Sequence, residues 1–254
     1  MELREYKVVM WLMLPQLVAA LLALSMAGPP QVELSITESV GLSVFYIVLI
    51  ALMTVLIVVL LKKGFSRLIR VLTGVLLFYG AAVSLWEALS PLGMDLLSIP
   101  LAALITLLGM RPGSLGNTAR CVLAALLSYL IITIFPWTFI TIFLVALSLY
   151  DAYSVFKGPL SSLFRLSIEE TLQPMFITHG RAAVGLGDLF SYALATSTSL
   201  RMIPLPFSLI PVVLLNVGVV ITLYLLYSKE RPLPGLTIPV LMWASSLILL
   251  IQLS

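Results

Sequence analysis

The chain has 254 residues, of which 61% are hydrophobic and 10% are charged, and its formal net charge is +3 at pH 7. Soluble domains are about 45–50% apolar and about 25% charged, so this composition excludes an ordinary soluble domain and indicates an integral, multi-pass protein of the cell membrane. The basic pI near 9.1 does not indicate a nucleic-acid partner, because the 14 lysines and arginines are scattered among short loops and form no basic face.

Apolar blocks recur along the whole sequence, each close to the roughly 20 residues that a helix needs to cross about 30 Å of hydrocarbon. Windows of about 19 residues predict an all-α, polytopic bundle of nine transmembrane helices, forming a single membrane domain over residues 1–254. The predicted spans are 8–27, 40–61, 70–89, 94–110, 119–135, 137–156, 182–200, 205–227 and 235–253. The first span is expected to be retained, because its apolar run exceeds the roughly 7–15 residues usual for a signal peptide.

Nine spans place the basic residues almost entirely on one side of the membrane. All but one of the 14 lysines and arginines, Arg120 and Arg181 among them, lie on the side of the N-terminus, in the N-terminal segment, in loops or at the ends of spans. Only Arg201 lies on the opposite side. Because short loops rich in lysine and arginine stay in the cytoplasm, this pattern predicts a cytoplasmic N-terminus and an extracytoplasmic C-terminus.

Four carboxylates lie within or at the edge of the predicted spans, where an ionised group costs at least a few kcal/mol. Glu87 and Asp95 flank the joint at Pro91 near the outer side, and we interpret them as structural residues that reach the interface. Asp151 and Asp188 lie deeper. Either residue alone is more simply interpreted as a polar structural residue, but the two together favour a functional pair.

Asp151 and Asp188 are expected at one depth in neighbouring antiparallel helices. Asp151 precedes Lys157 by six residues, and Asp188 follows Arg181 by seven. At about 1.5 Å per helical residue, both lie about 9–10 Å from these cytoplasmic markers. Two like charges close together in a low dielectric do not both ionise, so a facing pair shares a proton. Such a pair can act as general base and general acid on a water and a peptide carbonyl.

The single cysteine, Cys121, and the single histidine, His179, exclude other chemistry. There is no intrachain disulfide, no CxxC metal site and no HExxH zinc helix, and no serine–histidine pair suits a serine protease. We therefore expect neither a metal nor a cofactor.

Three short motifs occur in order on the sixth, seventh and ninth predicted spans. They are SLYDAYSVFKG at 148–158, GLGD at 185–188 and RPLPGLTIP at 231–239. The ordered set resembles the YD, GxGD and PAL motifs of the presenilin and signal peptide peptidase family of intramembrane aspartyl proteases. The resemblance implies that Asp151 and Asp188 are catalytic. It also implies a supporting role for residues of the three motifs: Tyr150, Gly185, Leu186, Gly187, Pro234, Gly235 and Leu236.

The resemblance implies an endopeptidase that cleaves membrane-protein substrates within or near their transmembrane helices, in the lipid bilayer, with its catalytic part in 137–254. The cytoplasmic N-terminus and short 158–181 loop are most similar to those of microbial, archaeal presenilin homologues, which implies no obligatory partner subunit; a homo-oligomer is left open. Within the loop, SSLFRLSIEETL is either an amphipathic interfacial helix or a solvated linker. PGL in place of PAL is a small-for-small change, expected to preserve close packing and to loosen the backbone.

The motif residues also have physical roles to be tested. Gly185 and Gly187 remove side chains beside Asp188, which serves either helix packing or the approach of an unwound substrate backbone. Pro232 and Pro234 disfavour helix before the ninth span and leave an extended segment. The resemblance implies that this segment pairs with substrate as an added strand. Tyr150 is expected to line a polar cavity open to the cytoplasm.

Two alternatives stay open. Prepilin and preflagellin peptidases also use a GxGD aspartate, but they typically have fewer spans and a lysine soon after the motif, which GLGDLFSY lacks. A proton-coupled transporter can relay protons through two membrane carboxylates, but it predicts internal repeats, and the two halves of the chain show no convincing repeat.

Overall fold

The computed structural model describes residues 6–25, 32–157, 173–179, 182–229 and 233–253. Within these ranges the protein is a bundle of nine α-helices with one two-stranded antiparallel sheet. The helices are α1 (Tyr6–Ser25), α2 (Ile36–Lys62), α3 (Ser66–Leu89), α4 (Ser98–Gly109), α5 (Ser114–Ile134), α6 (Trp137–Phe156), α7 (Leu186–Met202), α8 (Leu209–Lys229) and α9 (Thr237–Leu253). The strands are β1 (Phe176–His179) and β2 (Ala182–Gly185).

Each predicted span corresponds to one of these helices, which confirms the all-α membrane bundle. Among the described residues, six helices are long and apolar enough to cross a bilayer, namely α1, α2, α3, α5, α6 and α8. The other three are shorter, with 12 residues in α4 and 17 each in α7 and α9. The protein is therefore a multi-pass membrane protein, and the side on which each terminus lies stays a prediction.

The seventh predicted span, 182–200, was wrong at its start. Residues Ala182–Gly185 form β2, which pairs with Phe176–His179, and α7 begins only at Leu186. A short apolar run such as AAVG suits a strand as well as a helix, and here a partner strand decides between them. The depth estimate that counted helical rise from Arg181 was therefore wrong for these four residues.

The fourth and eighth helices begin later than predicted, for local reasons. The fourth span begins at Ser98, because Asp95–Leu97 forms a separate 3₁₀ turn. The eighth begins at Leu209, because residues 205–208 form a turn. The question of an interfacial helix concerns mostly residues 158–172, which lie outside the described ranges, as does Pro232.

The centre of the bundle is α7, which contacts α1, α5, α6, α8 and α9. Its residues 191–199 are all buried although five of the nine are serine or threonine. Thr196 Oγ1 donates to Gln16 Oε1 (3.0 Å), and Gln16 and Asn216 exchange two amide hydrogen bonds (2.9 and 3.0 Å). Small residues and interhelical hydrogen bonds join helices in membranes, so neighbouring helices, not lipid, surround α7.

Arg120 was expected among the cytoplasmic loop charges, and this was wrong. It lies within α5, and its side chain is fully buried. The predicted fifth span starts at residue 119 and therefore puts Arg120 at its cytoplasmic end, whereas α5 begins five residues earlier, at Ser114. Arg120 is therefore part of the protein interior.

Candidate active site

Two helices bring the paired aspartates together. Asp151 lies near the end of α6, and Asp188 lies in the first turn of α7, a helix that packs against α6. Both side chains are half-buried, and the two carboxylates are close enough to interact electrostatically. Asp188 is also near the N-terminus of α7, where the backbone dipole favours an acidic group.

The segment Pro234-Gly235-Leu236 touches both carboxylates. The Leu236 N–H donates to Asp151 Oδ2 at 3.0 Å. A Cβ built at Gly235 would lie only 2.6 Å from Asp188 Oδ2 and 2.9 Å from its Cγ, closer than real Cβ atoms come. An alanine here would require either the Asp188 side chain or the Pro234-Gly235-Leu236 segment to move, so the observed arrangement favours glycine at this position, where the resembled motif has alanine.

Two hydrogen bonds hold this segment in place. The Tyr192 hydroxyl donates to the Gly235 carbonyl at 2.7 Å, and Thr237 Oγ1 donates to the Ser148 carbonyl on α6 at 3.1 Å. Tyr192 follows Asp188 by four residues, so both lie on one face of α7. Sequence reasoning missed Tyr192, although the spacing of Asp and Tyr in GLGDLFSY was the available signal.

The glycines of GLGD differ in their surroundings. A Cβ at Gly185 would lie 3.5 Å from Asp188 Oδ2, which is an ordinary contact. Gly187 is exposed, and a Cβ there would meet no atom within 4 Å among the described residues. Leu186, between them, is half-buried and packs against the main apolar core. Among the described residues, no neighbour packs closely against Gly187, and the role of this glycine stays a prediction.

Tyr150 lies next to Asp151 on α6. Its side chain is half-buried, and its hydroxyl is enclosed without a hydrogen-bond partner among the described residues. Buried hydroxyls usually have a partner, so this group has hydrogen-bonding capacity to spare. Within the described ranges, no group of three or more His, Cys, Asp or Glu side chains is arranged to hold a metal ion.

Two crystal structures of a presenilin family intramembrane aspartate protease share this architecture. The one in space group C222 aligns with a TM-score of 0.63 and 20% identity, over 98% of this chain and 99% of that chain. The one in space group P2 aligns with a TM-score of 0.63 and 21% identity, over 95% and 96%. No protein-family model matches the chain, and no curated protein matches its sequence.

The helices and their burial define a polytopic all-α membrane protein. More particularly, the chain has the fold of the presenilin family intramembrane aspartate proteases over almost its full length. This confirms the fold that the three motifs implied. The likeness at this identity concerns the fold, and the chemistry is argued from the residues of the site.

Proposed function

We propose that the protein is an intramembrane aspartyl endopeptidase, in which Asp151 and Asp188 hydrolyse a peptide bond of a transmembrane substrate by activating a water molecule. The observation that carries the proposal is the shared contact of both carboxylates with the Pro234-Gly235-Leu236 segment. A structural pair of acids has no need of a glycine that makes room for one of them. Peptide hydrolysis requires a substrate backbone to be held beside the two acids, and this segment brings backbone groups to that place.

The chemistry divides between the two carboxylates. The ionised member takes a proton from water as the oxygen attacks the scissile carbonyl carbon, and the protonated member donates its proton to the carbonyl oxygen, which gives a gem-diol. When the C–N bond breaks, the first member gives the proton it took from water to the leaving amine, and the second takes its proton back from a gem-diol hydroxyl, so the pair again holds one proton. Two carboxylates in a low dielectric share one proton, which provides both forms at once. The Leu236 N–H donates to Oδ2 of Asp151 and so helps to hold this carboxylate beside the Pro234-Gly235-Leu236 segment. Tyr150 is next to Asp151, and its enclosed hydroxyl has no hydrogen-bond partner among the described residues, so we assign this residue a supporting role in the site.

The substrate reaches the pair as an extended strand. A helix hides its peptide bonds in its own hydrogen bonds, and lipid offers none in exchange, so cleavage requires local unwinding with replacement partners. β2 ends at Gly185, three residues before Asp188, and the space beside Gly187 is open. A peptide added as a strand there, or along Pro234-Gly235-Leu236, obtains backbone hydrogen bonds beside the acids. Substrates are accordingly membrane proteins with a transmembrane helix, and the protein acts without an obligatory partner subunit.

Removing the Tyr192 hydroxyl tests whether the Pro234-Gly235-Leu236 segment must be held. Tyr192→Phe leaves the Gly235 carbonyl without its donor, at a cost of about 1–3 kcal/mol. We expect a lower melting midpoint in detergent and a several-fold slower cleavage of a single-span substrate. Tyr46→Phe is the control, since that ring packs among Phe135, Phe139 and Phe143, outside the site. Equal rates and midpoints for both variants would contradict the role of Tyr192.

Water must reach Asp151 and Asp188, and thiol labelling tests whether it does. In a Cys121→Ala background, we expect Gly187→Cys to react with a charged thiol reagent applied from the cytoplasmic side. Leu52→Cys is the control, because Leu52 is an exposed apolar residue of the membrane-spanning helix α2 and faces lipid. Complete protection of Gly187→Cys in the absence of an inhibitor would argue against a water-fed site.

A further inference from the structure

Arg120 is a fully buried cation whose hydrogen bonds with the described residues all go to neutral oxygens. Its Nε donates to the Gly109 carbonyl (2.9 Å) and its Nη2 to the Arg111 carbonyl (2.8 Å). Its Nη1 donates to Asn117 Oδ1 (2.9 Å) and to the Phe176 carbonyl (3.0 Å). Removing a guanidinium from water is costly, so a residue that only filled space here would be apolar.

The planar guanidinium group, with its several N–H donors, explains why this residue is an arginine. Gly109 and Arg111 are at the end of α4, where helix carbonyls lack intrahelical partners. Arginine offers five N–H donors in a fixed plane and satisfies several such carbonyls at once, which a lysine ammonium does not do in this geometry. Arg120 therefore joins the end of α4 to β1 across α5.

Asn117 adds a second bond to the same strand. Its Nδ2 donates to the Thr178 carbonyl at 3.1 Å, while its Oδ1 accepts from Arg120. Phe176 and Thr178 are two residues apart, so their carbonyls point to the same side of β1. The side chains of α5 thus bind this edge of β1 in the way that a neighbouring strand would, and they cover it.

The attachment of β1 to α5 also fixes the position of Asp188. Phe176 lies opposite Gly185 in the sheet, and Gly185 is the residue that precedes α7. Asp188 follows within one turn. The contact path from α5 to the candidate site therefore runs through Arg120, Phe176, Gly185 and Asp188. With the β1 edge covered, β2 offers the edge of this sheet to which a further strand can add.

We propose that Arg120 and Asn117 are positioning residues that fasten β1 to α5 and so set the register in which an extended substrate meets Asp151 and Asp188. The inference rests on the proposed proteolytic function. It predicts that loosening this attachment changes where the substrate is cut, whereas a purely structural role predicts less folded protein with the same products.

The test compares Arg120→Lys and Asn117→Asp with wild type in liposomes, using a single-span substrate and mass spectrometry of the new termini. Arg120→Lys keeps the positive charge and loses the planar set of guanidinium N–H donors. Asn117→Asp keeps the acceptor for Arg120 and loses the donor to Thr178. Ser84→Ala is the matched control, since it removes another buried bond onto α5, to the Leu126 carbonyl (2.7 Å), away from the sheet.

In Arg120→Lys we expect the backbone amides of β1 and β2 to exchange at least about tenfold faster, and we expect additional products cut at neighbouring peptide bonds. Asn117→Asp changes both readouts in the same direction by less, and it decides the question if Arg120→Lys does not fold. Unchanged cleavage positions in both folded variants would overturn the proposal, even with faster amide exchange, because that is the result of a purely structural role. If wild type cuts no substrate, the proteolytic function fails, and the exchange measurement alone then decides whether α5 holds the strand.

Discussion

Asp151→Asn and Asp188→Asn are each expected to slow peptide-bond hydrolysis by at least about 10²–10⁴-fold while the bundle stays folded. Asparagine has nearly the same size, and at position 151 its amide oxygen can still accept from the Leu236 N–H. It can neither take a proton from water nor give one to the leaving amine. The measurement is the rate at which a single-span substrate disappears in liposomes, with the melting midpoint of each variant as the check on folding.

Asp95→Asn is the matched control for this pair. It makes the same chemical change in the short turn before α4, outside the candidate site, and should cleave at the wild-type rate. A variant at 151 or 188 that cuts as fast as wild type would show that the pair is not the catalytic unit. A proton-coupled transporter predicts a different result, in which no protein cuts substrate and the same substitutions abolish proton movement.

Gly235→Ala is expected to reduce kcat by about tenfold to a hundredfold. The added Cβ would lie 2.6 Å from Asp188 Oδ2, so either the acid or the Pro234-Gly235-Leu236 segment must move. Movement of the segment also disturbs the Leu236 bond to Asp151 and the Tyr192 bond to the Gly235 carbonyl. Because the change affects the geometry of the acids, we expect KM to change less than kcat.

Gly41→Ala makes the same substitution where a Cβ meets no atom within 4 Å among the described residues. Gly41 lies within α2, where alanine favours helix over glycine by about 0.5–1 kcal/mol, so this variant should be at least as stable as wild type and equally active. If Gly235→Ala matched Gly41→Ala in activity, the close approach of Gly235 to Asp188 would have no catalytic consequence.

The membrane spans were the most predictable part of the fold. The sixth span, predicted at 137–156, coincides with α6 because Pro136 precedes the helix and Lys157 follows it. Local signals of this kind, together with the apolar blocks, locate helices without knowledge of their neighbours. They also located Asp151 and Asp188, since an acid in an apolar block is conspicuous in sequence.

The entry to α7 was not predictable from local signals. AAVG at 182–185 is short and apolar, and its strand conformation depends on pairing with Phe176–His179. The polar run that follows, with its buried serines and threonines, was interpreted as an ordinary span, although it is enclosed by other helices. Its composition was the signal that this helix faces protein and not lipid.

Close contacts between segments that are far apart in the chain could not be predicted from the sequence. Gly235 was expected to loosen the backbone, and the observed reason for glycine, its contact with Asp188, depends on how α9 packs against α7. Arg120 looked like a loop charge because its partners are not visible in the sequence: the carbonyls of Gly109 and Arg111 lie 11 and 9 residues away, and that of Phe176 lies 56 residues away. Such roles are visible only when tertiary contacts are known.

The most direct measurement incubates the purified wild-type protein in liposomes with several single-span substrates and identifies the products by mass spectrometry. The account predicts new N- and C-termini within or beside the substrate's transmembrane helix, absent when Asp151 or Asp188 is asparagine. Folded wild-type protein that leaves every substrate intact, or that produces the same termini without either aspartate, would contradict it.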